Sequence, residues 1–150
     1  MWRKVRDNQR GAVLVEAAVV FPLLIMLTVG IWTTSRAWNI HNVLDHAAKE
    51  GARHGATAAN EDGLWDANSA VSVRQVIERE LQASAVNPSS VSMCIEYQEA
   101  GGDPCGLGDT TSDPKVQVTV TFPGHRLNFV FFGFTVDLRG AGVSRWEGDL

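Results

Sequence analysis

The sequence predicts an α+β fold, with a long N-terminal helix, a second helix and a small antiparallel sheet of about three strands. Three observations lead to this prediction. A long apolar run continues into a segment with the period of a helix, a shorter segment repeats that period, and the last part of the chain alternates with the period of a strand. Helices are therefore expected before about residue 90, and strands after it.

The apolar run is long enough to cross a membrane. No charged residue occurs between Glu16 and Arg36, and these 19 residues would form roughly 28 Å of helix. A bilayer core is about 30 Å thick, so a helix over 17–35 can span it. A cleaved secretory signal would have a shorter apolar core and a small-x-small exit, whereas this run ends in the bulky segment Trp32–Trp38. We therefore predict a single transmembrane helix.

The charges on either side of the run predict its orientation. The 150 residues have a net charge of −4, but residues 1–10 contain four basic residues and one acidic residue, a net charge of +3, which leaves −7 for the remainder. Lys and Arg are enriched on the cytoplasmic side of membrane helices. The N-terminus is thus expected in the cytoplasm, and the C-terminal part outside it. The acidic remainder gives no indication of nucleic-acid binding.

Helical periodicity continues beyond the apolar run. Apolar or small residues recur on one face up to about residue 56, and this face changes from bulky to small residues along the chain. Another element is therefore expected to approach closely at Gly51, Ala52 and Gly55. One helix is predicted over about 12–56, with a kink at Pro22, which lacks an amide hydrogen.

A second helix and three strands are predicted in the rest of the chain. The second helix covers about 66–84, with one apolar face. Alternation with period two predicts strands over about 91–97 and 116–122. A third strand is predicted over about 134–146, where two glycines suggest a bulge or a bend.

The segment Leu127–Phe134 is unusual, because it concentrates large apolar residues in a predicted connection between two strands. Two interpretations are open at this point. The segment either belongs to the core, or it touches the membrane surface or a neighbouring protein.

Two cysteines, Cys94 and Cys105, lie far beyond the apolar run, on the side of the membrane that is expected to be oxidising. The residues between them include the turn-prone stretch Gly101–Pro104. A disulfide would close a loop worth roughly 3 kcal/mol, and the alternative is two small buried thiols. The spacing fits no zinc signature.

A short motif marks the start of the apolar run. Gly11 follows the basic leader, and Glu16 lies five residues later within apolar surroundings. A carboxylate near the membrane interior is costly. Glu16 is therefore either an interfacial acid without a role or the partner of a cation. Cleavage after Gly11 would create such a cation, the new ammonium of Ala12, in the same chain or in a neighbour.

This motif resembles the signal of type IV pilins and pseudopilins, in which a prepilin peptidase cuts after the Gly and the Glu at the fifth mature position guides assembly. A longer resemblance, over Arg10–Leu24 and Ala47–Gly55, is to the TadE-like family of the tight-adherence pilus system. Two departures are Ala17, where the family often has Phe, and Trp32–Thr34, where it often has an acidic or bulky polar group. The Glu-Tyr pair of the small major pilins is absent and the ectodomain is too large for that role, which favours a minor pseudopilin.

The resemblance implies a domain organisation and a function. Residues 1–11 would be a cytoplasmic leader peptide, 12–56 a transmembrane and juxtamembrane stem, and 57–150 a pilin-like α+β head in the periplasm or outside the cell. The chain would be a minor pseudopilin of an adhesion pilus, held in the bacterial inner membrane. Its partners would be membrane lipid, prepilin peptidase, other pilin-like subunits and the pilus assembly platform. The alternative is an unprocessed, single-pass, membrane-anchored periplasmic binding module.

Catalytic and metal-binding patterns are absent from the sequence. His41 and Asp45 are one helical turn apart, but a third ligand on that face is missing. No Gly-x-Ser-x-Gly motif is present, and the run Cys105–Asp109 lacks the full pattern of a phosphate-binding loop. We therefore expect no enzymatic activity, no cofactor and no bound metal.

Overall fold

A computed structural model describes residues 3–58, 65–98, 102–108, 113–129 and 132–145, with side chains from residue 11 onward. The elements, in chain order, are α1 (Arg3–Thr57), α2 (Ala67–Ala83), a short 3₁₀ helix (Pro88–Ser90), β1 (Ser92–Gln98), β2 (Lys115–Asn128) and β3 (Gly133–Arg145). The predicted α+β fold, with two helices and a three-stranded antiparallel sheet, is therefore confirmed. Gly101 and Asp109, named in the sequence analysis, and position 146, the predicted end of the third strand, lie outside the described residues.

Helix α1 is longer than predicted at its N-terminus, since it begins at Arg3, and it ends one residue beyond the predicted end. It continues through Pro22 as one element, and the kink expected there stays a prediction. An 18-residue window of this helix has a mean hydropathy of 2.5, and none of the window is buried. By length and composition α1 could therefore cross a membrane.

Helix α2 is delimited by hydrogen bonds at both ends. Asp66 is its N-cap, because its carboxylate accepts a hydrogen bond from the Ser69 amide at 2.8 Å, while the Ser69 hydroxyl accepts one from the Asp66 amide. This capping box lowers the pKa of Asp66. At the C-terminus Ala85 has a φ of 57°, and the amide of Val86 donates to the carbonyl oxygen of Leu81 at 2.9 Å. This left-handed residue ends the helix close to the predicted position.

The sheet has the order β1-β2-β3, so β2 is the central strand. The predicted alternation holds on β2, because every second residue from Val116 to Val120 is an apolar residue that faces the two helices in the core. The buried core comprises residues from α1, α2 and β2, namely Leu44, Ala47, Ala48, Ala52, Val73, Ile77, Leu81, Val116, Val118 and Val120. The C-terminal part of α1 is therefore packed into the head.

The bulge expected at the glycines of β3 was wrong, and the alternative of a bend there stays a prediction. Gly140 and Gly142 pair regularly with Val120 and Val118, and the irregularity in the ladder lies between Phe122 and His125 on β2. The need for glycine at these two positions comes from a tertiary contact. A Cβ at Gly140 would overlap the backbone of α1, and a Cβ at Gly142 would lie 2.6 Å from an atom of that backbone. Glycine thus lets α1 rest directly on β3.

The described residues of the segment Leu127–Phe134, which are 127–129 and 132–134, lie at the end of the β2–β3 hairpin. Strand β2 continues past its irregularity to Asn128, where it pairs with Gly133, and the Phe129 amide donates to the carbonyl oxygen of Phe132 at 2.7 Å. None of its described residues belongs to the buried core. Residues 130–131 lie outside the described residues. The described residues therefore contradict the interpretation as a core segment, and contact with the membrane surface or with a neighbouring protein stays a prediction.

Candidate processing and assembly segment

The proposed processing site lies near the N-terminus of α1, in the part of the helix that precedes the head. Gly11, Ala12 and Glu16 are all exposed, and a Cβ at Gly11 would meet no non-local atom within 4 Å. Residues Ala12 and Glu16 are four positions apart in a continuous helix, so their side chains lie on one face about 5–6 Å apart. An ammonium at Ala12 would therefore stand within one helical turn of the Glu16 carboxylate.

The part of α1 that precedes the head exposes apolar side chains on all sides. A helix that is apolar all round requires an apolar surrounding, either lipid or other helices. From residue 11 onward, where side chains are described, the first buried residue of the helix is Ala37, at 7% exposure, just beyond the apolar run. The large exposed apolar residues of this part are Val13, Leu14, Val15, Val19, Val20, Phe21, Leu23, Leu24, Ile25, Leu27, Ile31 and Trp32. The helix thus divides into a largely exposed part before Ala37, which touches the head near Gly30 and Thr33, and a packed part after it.

The predicted close approach at the small residues of α1 occurs within the chain. A Cβ at Gly51 would lie 2.6 Å from Cγ1 of Ile77 on α2, and a Cβ at Gly55 would lie 2.8 Å from Cγ1 of Val116 on β2. Ala52 between them is 1% exposed. These residues therefore pack the stem against its own head, and their surface is not free for other subunits.

Asp45, considered above as a metal ligand, has other partners. Its carboxylate accepts a hydrogen bond from Lys49 Nζ at 2.5 Å and another from the Ala141 amide of β3 at 3.4 Å. The bond from Lys49 is the largest cause that lowers the pKa of Asp45. This residue thus contributes to the seating of α1 on β3.

A disulfide joins Cys94 to Cys105, as predicted. Cys94 lies on β1 with its side chain on the sheet face opposite the helices. The disulfide holds the loop 102–108 against that face, and Cys105 is 8% exposed. Arg139 of β3 donates to the carbonyl oxygen of Gly106 at 2.8 Å and also to that of Cys105. The loop therefore covers the outer face of the sheet.

The loop is also stabilised from within by Asp103. Its carboxylate accepts hydrogen bonds from the backbone amides of Gly108, at 2.6 Å, and of Leu107. These two bonds lower the pKa of Asp103. The ionised form of Asp103 is thus the one that favours the loop conformation.

A cleft of about 660 Å³ separates the stem from the head near the end of the apolar run. Arg36 and Trp32 line it from α1, and His125 and Arg126 line it from β2. None of the described residues that line the cleft is acidic. The cleft therefore has a positive lining, and the sequence analysis did not find it because its two arginines are 90 positions apart.

The fold and the stem define a class of protein, a small α+β head carried on an apolar helix that could cross a membrane. Residues 11–53 match the model of a protein family described as TadE-like protein, so the resemblance found in the sequence is confirmed. The match begins at Gly11, includes Glu16, and ends within the packed part of α1. No curated protein and no solved structure matches the chain. The family match and the apolar helix together fit a membrane-anchored subunit associated with a pilus.

Proposed function

We propose that this chain is a minor pseudopilin of a tight-adherence pilus, processed by prepilin peptidase after Gly11 and assembled through its apolar stem. One observation carries the proposal. The TadE-like match starts at Gly11, and the helix that follows is apolar, continuous and unburied up to Ala37. The head packs around the second part of the helix and contacts the first part only near its end, at Gly30 and Thr33, among the described residues. The exposed apolar surface of the first part is therefore available for lipid or for other stems.

Before assembly the largely exposed part of the helix would lie in the inner membrane. The basic leader would remain in the cytoplasm, and the disulfide-bonded head would face the periplasm, where disulfides form. Gly11 would then stand at the cytoplasmic edge of the bilayer, accessible to a membrane peptidase. The exposed backbone at Gly11 supports this assignment, because no described atom of the head lies within 4 Å of a Cβ placed there.

After processing, the stem would pack among other pilin-like stems on the assembly platform. Glu16 would enter this apolar environment with its charge, and a carboxylate in a low dielectric requires a partner. The Ala12 ammonium of the same or a neighbouring chain would be that partner, so the pair would select one axial position of the stem. We propose a packing role for this chain rather than a catalytic one.

Processing is tested by the N-terminus of the purified protein. In cells with an active prepilin peptidase, mass spectrometry should find wild-type protein that begins at Ala12, whereas Gly11→Arg should retain residues 1–11 because the bulky charged side chain blocks the peptidase. The control Asn8→Arg adds the same charge within the leader and should be processed normally. Intact Met1 in the wild-type protein would refute processing and support the alternative, an unprocessed membrane-anchored binding module.

Assembly is tested by Glu16→Gln, which keeps the size of the side chain and removes its charge. We expect this variant to insert and to be processed, but to appear in sheared pili at least about tenfold less than wild type, because breaking a buried ion pair costs about 3–5 kcal/mol. Glu96→Gln, on an exposed position of β1, is the matched control and should assemble normally. Equal amounts of the Glu16 variant and wild type in the pili would exclude the assembly role of Glu16.

A further inference from the structure

The end of the β2–β3 hairpin folds back onto the stem. The hairpin tip consists of residues 127–129 and 132–134. A Cβ at Gly30 of α1 would lie 3.5 Å from the Phe129 ring, which is ordinary van der Waals contact. The hydroxyl oxygen of Thr33 lies 3.0 Å from the carbonyl oxygen of Asn128. The tip therefore has a fixed height along the stem.

The hairpin tip contacts α1 within the apolar run. Gly30 is five residues before Ser35, the last residue of the run, which corresponds to about 7.5 Å along the helix axis. Where the run crosses a bilayer, a group in contact with Gly30 lies in the outer part of the acyl-chain layer, because the run is about as long as that layer is thick. The hairpin tip thus cannot stand in bulk water while the run is in lipid.

The exposed side chains of the hairpin tip are aromatic, as expected for residues near the outer edge of a bilayer. Phe132 and Phe134 are 54% and 48% exposed, and both rings stack on Phe129, with centroid distances of 4.9 and 5.9 Å. On the stem beside them, Trp32 and Trp38 are 73% and 66% exposed. Aromatic side chains, Trp and Tyr above all, are enriched at membrane–water interfaces, while a cluster of exposed rings is unfavourable in water.

Positively charged side chains lie next to the hairpin tip, on the side away from the bilayer centre. Arg36 is the first charged residue after the apolar run, and Arg126 immediately precedes the hairpin tip on β2. Both are exposed, and both line the cleft between stem and head, which has no acidic residue among its described lining. Moving away from the bilayer centre, the protein surface thus passes from apolar to aromatic to cationic. A lipid leaflet has the complementary layers, which are acyl chains, interface and phosphates.

We propose that the hairpin tip is a second membrane contact, which inserts Phe132 and Phe134 into the outer leaflet while Arg36 and Arg126 face the lipid phosphates. This inference rests on the proposed membrane anchoring by the stem. The partner is the lipid bilayer itself. The contact fixes the tilt of the head before assembly, and extraction of the subunit must remove the tip from lipid together with the stem.

The test measures the depth of single nitroxide labels on the full chain in vesicles of phosphatidylethanolamine and phosphatidylglycerol. Labels are attached at Phe132→Cys or, as a second variant, at Phe134→Cys, without reductant so that the disulfide stays closed. Leu24→Cys in the run and Val71→Cys on exposed α2 serve as references for lipid and water. Relaxation by oxygen, which partitions into lipid, is compared with relaxation by a water-soluble nickel chelate.

We expect the labels at the tip to be accessible to oxygen and protected from nickel, like the label at Leu24, while the label at Val71 shows the reverse. Tip labels that match Val71 while Leu24 reports lipid would overturn the inference and leave the anchoring intact. Tip labels protected from both reagents would indicate coverage by another protein copy and would also overturn it. Water accessibility at Leu24 as well would refute the anchoring together with the inference.

Discussion

Gly140→Ala is expected to destabilise the head by about 3 kcal/mol or more, at the upper end of the usual cost of overpacking. The added methyl group would overlap the backbone of Leu44 and Asp45 on α1, and a helix backbone cannot move aside as a flexible side chain can. Relief would require α1 to lift off β3, which would open the core layer around Val118 and Val120. A domain of this size has a total stability of about 5–15 kcal/mol, so the loss is a large fraction of it.

The measurement is thermal unfolding of the full chain in detergent, followed by near-ultraviolet circular dichroism. This signal reports head packing, including the stacked pair Trp65 and Tyr97, whose ring centroids are 5.9 Å apart. We expect the Tm to fall by more than about 10 °C. Gly30→Ala makes the same chemical change where the new Cβ has only ordinary contacts, and it should leave the Tm near the wild-type value. An unchanged Tm for Gly140→Ala would show that α1 does not rest on β3 as described.

Removal of the disulfide by Cys94→Ser with Cys105→Ser is expected to cost roughly 3 kcal/mol of unfolding free energy, the value of the loop constraint. The loop 102–108 would retain the hydrogen bonds from Arg139 but would lose its covalent attachment to β1. We therefore expect lower stability in denaturant titrations and new protease cleavage within this loop. Thr119 and Gln117, which lie on the same face of β2, would become more accessible.

The matched control for the double variant is wild-type protein treated with a reductant. If the covalent constraint is the cause, the reduced wild type and the double variant should unfold at the same denaturant concentration. Stability equal to that of oxidised wild type, with no cleavage in the loop, would show that the other contacts of the loop are sufficient.

The elements of the fold could be predicted because each has a local periodicity. The predicted bounds of α2 differ from the observed ones by one residue at each end, since Asp66 and Ser84 are its caps. Strand β2 was predicted too short, because its alternation was followed only to Phe122, whereas the structure accommodates Pro123 and Gly124 as an irregularity within a longer strand. The pairing of β2 with β3 resumes beyond these two residues, and this pairing cannot be seen from the local sequence.

The tertiary positions could not be predicted in the same way. The two glycines of β3 indicated a bulge by local rules, but their cause is the backbone of α1, about 95 residues earlier in the chain. The segment Leu127–Phe134 stood out by composition alone, and its position along α1 became known only from the tertiary contacts of Phe129 with Gly30 and of Asn128 with Thr33. Periodicity indicates which face of an element is apolar, and it does not indicate which distant element meets that face.

The candidate site was predictable to a different degree at each residue. Gly11 and Glu16 were found through a motif, and the family match includes both. The small residues Gly51 and Gly55 were found through the helical period, which predicted close approach but not the partners Ile77 and Val116. The arginine-lined cleft had no sequence signal, because it depends on the hairpin folding back onto the stem.

The continuity of α1 has a mechanical consequence. One helix without a hinge loop runs from the largely exposed apolar part into the core of the head, so a torque applied to either part is transmitted to the other. Each residue of an α-helix corresponds to about 100° of rotation. A shift of the stem by a single residue among its neighbours would therefore rotate the head about the helix axis by more than a quarter of a turn. The packing of the stem within the apolar layer thus sets the direction in which the head points.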